Sequence, residues 1–303
     1  MIGSCFSENI SSKLRHRKFN CCSNPFGILF DTLSIEQCLV DIVSQRKYDS
    51  QDLFLHNELY HSWSHHSDFS DTNSTVVLNK MNQTVASTHE ELRSAKFMVI
   101  TLGSAFSYYH VESQRFVANC HKVPQKDFEK RLISAERILE SLQNSYNLIS
   151  KINPEIQVIL TISPVRHLRD GLIENNKSKA RLIEATHHFI QNCNNAFYFP
   201  SYEIVIDLLR DYRFFDTDFA HPNYLATNIV FDFFKSSCID TMCWEDMSVF
   251  YQLHLAMKHK PRNPETKAHR DFLNKQFHLA CSLQEKFPGL NFQPEIEFFS
   301  NSN

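Results

Sequence analysis

Near the N-terminus the apolar residues Phe6, Ile10 and Leu14 recur at helical spacing, with Ser7 and Glu8 in the first turn, where the positive end of the helix dipole favours them. This predicts a helix over residues 6 to about 18 that opens just after Cys5. A second periodic segment predicts a helix from Ser34 to about Gln45, and NPFG at Asn24 to Gly27 between the two is turn chemistry. Two short apolar runs rich in β-branched residues, FMVITL (97–102) and QVILTI (157–162), read as strands buried on both faces. Between them the pattern suggests a hairpin over Ser107 to Asn119 and a long helix from about Gln125 to Ser150. A helix over about Lys177 to Asn192 leads to AFYFPSYEIV, a further strand candidate. After the loop DTDFAHPN a helix is expected from about Pro222 to Ser236, because proline suits a first helical turn. Helical segments over about Trp244 to Met257 and Glu265 to Glu285 follow, with NPET (263–266) as a hinge.

Strands alternating with helices at this spacing imply an α/β fold with a parallel, doubly wound sheet. Residues 1–237 are expected to form that α/β domain and residues 238–303 a C-terminal helical extension. A buried strand should precede Gly3, yet only Met1 and Ile2 are there to form it, so the strand is either very short or preceded by more chain. In such sheets, sites form beyond the carboxyl ends of the strands. Gly103 and Ser163 occupy those ends.

A net charge of −3 gives no electrostatic reason to expect a nucleic acid or an anionic membrane as partner, which points to a small molecule. Nine cysteines, an odd number without Cys-x-x-Cys spacing, read as reduced thiols of a cytoplasmic protein. No signal-peptide pattern occurs, and no stretch approaches the roughly 20 apolar residues that span a bilayer. No cofactor motif is present, and the oligomeric state is open.

Gly3-Ser4-Cys5-Phe6 puts small residues between a strand and a helix start, so the side chain at position 5 would sit over unpaired helix N–H groups. That environment lowers a thiol pKa and favours a thiolate nucleophile; the competing reading is an inert buried cysteine. Asp218 stands three residues before His221 on a loop ahead of a helix, where the carboxylate could orient the imidazole and the imidazole accept a proton. Asn119 and His121 are substrate-pocket candidates, as are Arg166 and His167, which follow the strand at 157–162 and could meet an anionic group. His56, His61, His65 and His66 crowd one segment; His61 and His65 have the i, i+4 spacing of zinc sites, but the surroundings look like a loop and no metal is assigned.

GSCFSENI, NPFG, TLGSAF (101–106), NCHKVP (119–124), SPVRHLRDG (163–171), NKSKA (176–180) and DYRFFDTDFAHPN (211–223) together resemble the GSCFA family over nearly the whole chain. That family is similar in turn to SGNH (GDSL-type) hydrolases, whose flavodoxin-like fold carries a nucleophilic serine in Gly-Asp-Ser-Leu and a late Asp-x-x-His pair. The resemblance implies Cys5 as nucleophile with His221 and Asp218 as its partners. It also implies an oxyanion hole from the backbone N–H groups of Cys5 and Gly27, with Gly103 at the block III glycine. The Gly-x-Asn-Asp of block III is replaced by Gly103-Ser104-Ala105-Phe106, which offers no amide; Asn24, Asn119 or the Ser104 hydroxyl would have to substitute. Sliding the motif by one residue makes Ser4 the alternative nucleophile. The expected function is a hydrolase or acyltransferase acting on a small-molecule ester or thioester, and the alternative is a non-catalytic small-molecule-binding or assembly protein on the same kind of fold.

Overall fold

In the computed structural model, which describes residues 1–301, the apolar start of the chain forms β1 (Ile2–Gly3) and turns at once into α1 (Cys5–Arg15). Ser4 caps that helix, its Oγ accepting the Phe6 N–H at 3.3 Å and its carbonyl the Ser7 N–H at 2.9 Å. Asp31 caps α2 (Thr32–Val43), its Oδ1 accepting the Ser34 N–H at 3.1 Å. The hairpin of β2 (Phe54–His56) and β3 (Leu59–His61) follows, then α3 (Ser74–Ser94) and β4 (Phe97–Leu102). Next come β5 (Phe106–His110), β6 (Arg115–Val117), β7 (Phe128–Leu132), α4 (Ala135–Ile152), β8 (Gln157–Ile162), α5 (Leu172–Gln191), β9 (Ala196–Phe199) and the short turn α6 (Ser201–Glu203). The chain continues as α7 (Tyr224–Cys238), α8 (Trp244–Lys258), α9 (Lys267–Lys286) and α10 (Gln293–Asn301).

Both apolar runs fold as the strands expected of them, and the 107–119 hairpin is β5 with β6. The helix expected from Gln125 is corrected. Residues 128–132 are β7, paired antiparallel with β5 so that Tyr108 faces Lys130, and the helix begins only at Ala135. Phe128 and Leu132 also have i, i+4 spacing, which left the local pattern ambiguous until β5 supplied a partner.

The main sheet is parallel with strand order β1-β4-β8-β9, Gly3 opposite Thr101 and Val99 opposite Ile159. The order runs in chain sequence with no reversal. Helices cover both faces. Met98, Ile100, Leu102, Val158, Leu160 and Ile162 alternate into a core shared with α2, α3, α4 and α5. On the other face Thr101 Oγ1 meets Ser7 Oγ of α1 at 2.7 Å, and Thr161 Oγ1 meets Ser201 Oγ at 2.7 Å.

The outer edge of β1 is covered by the loop after α1. Asn24 donates its N–H to the Met1 carbonyl at 2.9 Å, the Gly3 N–H is donated to Asn24 Oδ1 at 2.9 Å, and the Leu29 N–H to the Gly3 carbonyl at 3.0 Å. A two-residue strand therefore has partners on both sides, which answers the need of a short edge strand for pairing.

The chain divides into two compact units. The first holds Met1–Ser11 and Cys22–Phe231, and with them the whole parallel sheet. The second combines Ser12–Cys21 with the chain from Asp232 onward. Its core gathers Phe250 and Leu253 of α8, Leu273, Ala280 and Leu283 of α9, and Phe292 and Phe299. Within it Lys18 Nζ donates to the Asn291 carbonyl and the Glu295 carboxylate, each at 2.7 Å. Among the described residues no helix is long and apolar enough to cross a membrane.

Candidate functional site

Cys5 owes its position to the glycine two residues earlier. Gly3 has φ +132°, and a Cβ built there would lie 2.1 Å from the Thr101 carbonyl oxygen, so only glycine lets β1 lie against β4 before the chain turns into α1. Ser4 is 2% exposed, and its hydroxyl accepts the Phe6 N–H, so it is placed as a helix cap rather than as an accessible nucleophile. Cys5 is partly exposed. Burial pushes its thiol pKa up, outweighing the backbone N–H of Cys5, the charge of Lys179 and the N–H of Phe6, all of which pull it down. The lowered pKa expected from the helix N-terminus is thereby corrected: desolvation wins, and Cys5 rests as a thiol that needs a base.

The second piece is the loop between Phe215 and Pro222, which bridge each other in antiparallel fashion. His221 Nδ1 and Asp218 Oδ2 are 2.6 Å apart. The other carboxylate oxygen of Asp218 accepts the N–H groups of Ala220 at 2.9 Å and His221 at 3.0 Å. These backbone bonds, and then the imidazole, hold the Asp218 carboxyl well below the usual carboxylate range. With Nδ1 occupied, His221 keeps Nε2 available, and the side chain is half-exposed. Arg166 fixes this loop: its N–H donates to the Ala220 carbonyl and its Nη1 to the Phe219 carbonyl, both at 3.1 Å, while the guanidinium lies 4.2 Å from the Phe215 ring centroid. Arg166 is thus occupied with the loop, whereas the sequence suggested an anion-binding role.

The strands of the main sheet are all parallel. Cys5 follows β1, and the Asp218–His221 loop is bonded to Arg166, which follows β8. Both pieces therefore belong to the carboxyl edge of one sheet. No hydrogen bond joins Cys5 to His221 among the described residues.

Most expected oxyanion donors are already engaged. The Gly27 N–H goes to the Asn24 carbonyl at 2.8 Å, and those of Gly103 and Ser104 go to the Phe30 carbonyl at 2.8 and 2.9 Å. The Ser104 hydroxyl accepts the Phe106 N–H at 2.9 Å and lies 3.4 Å from Ser178 Oγ, which leaves its own O–H able to donate. These are corrections to the expected hole, because the paths of the two loops consume the amides. Three donors remain: the Cys5 N–H, which faces its own sulfur, the Ser104 O–H, and Asn24, which is buried with Oδ1 on the Gly3 N–H and Nδ2 without a partner.

Sequence reasoning missed Lys179. It is 1% exposed, and Nζ donates to the carbonyls of Gly103 at 2.7 Å and Ser163 at 2.6 Å, at the ends of β4 and β8. Burial lowers its pKa to about 7. His167 Nε2 lies 3.2 Å from the same Gly103 carbonyl, and burial followed by the charge of Lys179 lowers its pKa to about 4. One sequence signal was available: Lys179 falls on the buried stripe of α5, with Asn175, Ser178, Leu182, Ala185, Thr186 and Phe189.

Asn119 and His121 belong to a different group of side chains. Asn119 Oδ1 accepts the His121 N–H at 2.8 Å, and His121 Nε2 lies 2.8 Å from the Ser62 carbonyl, its ring 4.5 Å from that of His61. His61 Nδ1 meets Ser70 Oγ at 2.6 Å, and His65 stacks on Phe26 at 4.1 Å. The crowded histidines pack as aromatic rings, and among the described residues no group of three or more His, Cys, Asp or Glu is arranged to hold a metal ion. Neither Asn119 nor His121 is hydrogen-bonded to Cys5, Asp218 or His221.

The family model for the GSCFA family matches residues 1–234, and the model for the GSCFA domain protein C-terminal domain matches residues 251–302. A comparison with curated proteins gave no match. The chain belongs to the GSCFA family.

Proposed function

We propose that this GSCFA-family chain catalyses acyl transfer, hydrolysing an ester or thioester or passing its acyl group to another acceptor, with Cys5 as the nucleophile. In this reading His221 Nε2 takes the thiol proton as sulfur attacks the acyl carbonyl, and then returns it to the leaving oxygen or sulfur. A thioester on Cys5 results. Water or an acceptor alcohol or amine, deprotonated by His221, then attacks that thioester and restores the thiol. Asp218 holds the imidazole with its proton on Nδ1 and balances the imidazolium that forms. The Cys5 N–H and Asn24 Nδ2 donate to the carbonyl oxygen as it gains charge.

The observation that supports the reading is that Cys5 directly follows β1 while the Asp218–His221 loop is hydrogen-bonded to Arg166 after β8, two strands of the same parallel sheet. Support also comes from the 2.6 Å Asp218–His221 contact and from the likeness of the strand–Cys5–helix turn to the nucleophile position of SGNH hydrolases. Because the thiol is protonated at rest, the chemistry depends on the base, and the Cys5–His221 contact closes when substrate is seated.

The test is covalent capture. Incubation with p-nitrophenyl acetate should acetylate Cys5 in the intact chain, detected by mass spectrometry, and His221→Ala should slow this by about 100-fold or more. Iodoacetamide at pH 7 should label Cys5 in the wild type and much more slowly in His221→Ala. A second reading, a non-catalytic small-molecule-binding or assembly protein, is favoured by the engaged amides of Gly27, Gly103 and Ser104. Absence of any acetyl-Cys5, with Cys5 no more reactive than the exposed Cys243, would decide for it.

A further inference from the structure

The residues that cross the carboxyl edge of the main sheet form a row. The Leu29 N–H is donated to the Gly3 carbonyl at the end of β1, and the Phe30 carbonyl accepts the N–H groups of Gly103 and Ser104 at the end of β4. His167, after β8, closes the row, with Nε2 3.2 Å from the Gly103 carbonyl and its ring edge-on to that of Phe30 at 6.0 Å. In the strand order β1-β4-β8 the end of β4 lies between the turn that carries Cys5 and the loop, held by Arg166, that carries His221. Neighbouring strands are about 4.8 Å apart, so the outer two are separated by about 10 Å, and Phe30 is anchored in that interval.

A Cβ at position 103 would lie 3.0 Å from the Phe30 carbonyl oxygen and 3.2 Å from its Cδ1, so glycine there lets both the backbone and the ring of Phe30 settle against β4. The ring is nevertheless 40% exposed. It is a large apolar surface, fixed in place and open to solvent.

The charges around it are already engaged. Arg166 is bonded to the carbonyls of Phe219 and Ala220, Lys130 is paired with Asp170, and Lys179 is buried with Nζ on the Gly103 and Ser163 carbonyls. Burial holds the His167 pKa at about 4, so its imidazole is uncharged at neutral pH. What this edge leaves open is apolar: Phe30 in the middle, Leu168 next to His167, and Phe219 on the loop that carries His221, its ring edge-on to Tyr212 at 5.4 Å. One exposed phenylalanine means little, but three such side chains around one acyl site match an uncharged, apolar substrate group.

We propose that Phe30 selects the substrate: its exposed ring is the platform for an apolar acyl chain longer than acetyl, with Leu168 and Phe219 flanking it. This rests on the acyl-transfer reading above and names the class of ester or thioester that the site takes. Phe30 covers the chain without making or breaking a bond, so it is a specificity-determining residue. Each methylene fully removed from water is worth about fourfold in binding, and one ring face covering part of a short chain gives about tenfold.

The test compares p-nitrophenyl hexanoate with p-nitrophenyl acetate in the full chain, each rate normalised to that with free cysteine. Sulfur takes the acyl carbon, and p-nitrophenol leaves with the thiol proton. Cys5 acylation should be about tenfold faster with hexanoate in the wild type. Phe30→Ala should bring the ratio close to one, whereas Phe30→Leu should keep most of it, with circular dichroism verifying that each variant is folded. A wild type without chain preference, or a folded Phe30→Ala that keeps it, overturns the proposal.

A second measurement needs neither a variant nor catalysis. Alkylation of the wild type by N-hexyl iodoacetamide or by iodoacetamide forms a sulfur–carbon bond and releases iodide and the thiol proton. The rate ratio of the two reagents should be about fivefold higher at Cys5 than at the exposed Cys243, and equal ratios overturn the proposal. The two levels separate. Chain-independent acylation of Cys5 removes only the role of Phe30, whereas failure of both esters to form acyl-Cys5, with the hexyl preference in alkylation intact, removes the acyl-transfer reading and leaves Phe30 as an apolar binding platform.

Discussion

The guanidinium of Arg166 donates to the Phe219 carbonyl at 3.1 Å across 53 positions of chain. Phe219 sits at φ +56°, a left-handed conformation that a bulky residue adopts only when its surroundings impose it, and Arg166 is part of those surroundings. Through this bond the first residues after β8 set the turn that presents His221.

Arg166→Ala should therefore loosen the loop without altering Cys5. Hydrogen exchange at residues 216–221 should quicken, and acetylation of Cys5 should slow by about tenfold, the scale of a misplaced catalytic group. Lysine should not rescue it, because the planar guanidinium is what lies against the Phe215 ring at 4.2 Å. Wild-type exchange in the alanine variant would show that the loop holds itself.

Gly3→Ala should abolish the approach of β1 to β4. The added Cβ would lie 2.1 Å from the Thr101 carbonyl at φ +132°, so the strand pair must separate, destabilising the first unit by about 3 kcal/mol or more. Gly171→Ala is the matched control: φ is +84° there, but nothing lies within 4 Å, and backbone strain alone should amount to about 1 kcal/mol. Urea unfolding of the two variants measures the contrast, and similar losses in both would remove the steric argument.

These positions also mark what could be read from the chain and what could not. The strands 97–102 and 157–162 were legible because burial on both faces demands an unbroken apolar run. The long helix α3 went unread: its buried face is Val77, Met81, Val85, His89 and Leu92 in a largely polar segment, too sparse to stand out. Cys5, Asp218 and His221 were singled out by the resemblance of their motifs to the GSCFA family, because an Asp-x-x-His spacing alone arises by chance in a chain with 16 histidines. The engaged amides of Gly27 and Gly103 could not, since their acceptors, the carbonyls of Asn24 and Phe30, are set by loop paths with no local signature. Lys179 stayed hidden because a lysine on a helix is ordinarily a surface residue.

His65 should make the protein sensitive to acid. It is 0% exposed, stacked on Phe26, with Nδ1 at 3.1 Å from Ser62 Oγ and Nε2 unpartnered. Burial, then the charges of His121 and Arg46, lowers its pKa to about 3. The unfolded chain binds the proton near pH 6.5, so this contribution to stability is complete above that value and falls away as the pH drops toward 3. Between pH 7 and pH 4.5 the loss should be about 2 kcal/mol from His65 alone. His121 and His167, both lowered to about 4, act in the same direction. Urea midpoints at the two pH values should lie closer together in His65→Phe than in the wild type, and an equal separation would count against it.

Asn24 offers the sharpest separation of structure from chemistry, because its two amide atoms face different demands. Oδ1 accepts the Gly3 N–H at 2.9 Å and so holds the strand that delivers Cys5, while Nδ2 is buried without a partner. A buried donor left unmatched is unfavourable by about 1–3 kcal/mol, a cost that disappears when a developing oxyanion supplies the acceptor. Asn24→Asp keeps the oxygen for Gly3 and, like asparagine, tolerates the φ of +46° found there, but removes the donor. Thermal stability should change little, while acetylation of Cys5 should slow by about 100-fold or more, as when a single oxyanion donor is lost. The new carboxylate would also raise the Cys5 pKa, so rates are to be compared at equal thiolate fraction, taken from each variant's own alkylation profile. Asn24→Ala, which loses both atoms, should instead be unstable as well as slow. A stable Asn24→Asp with wild-type acetylation would exclude the carboxamide from the chemistry.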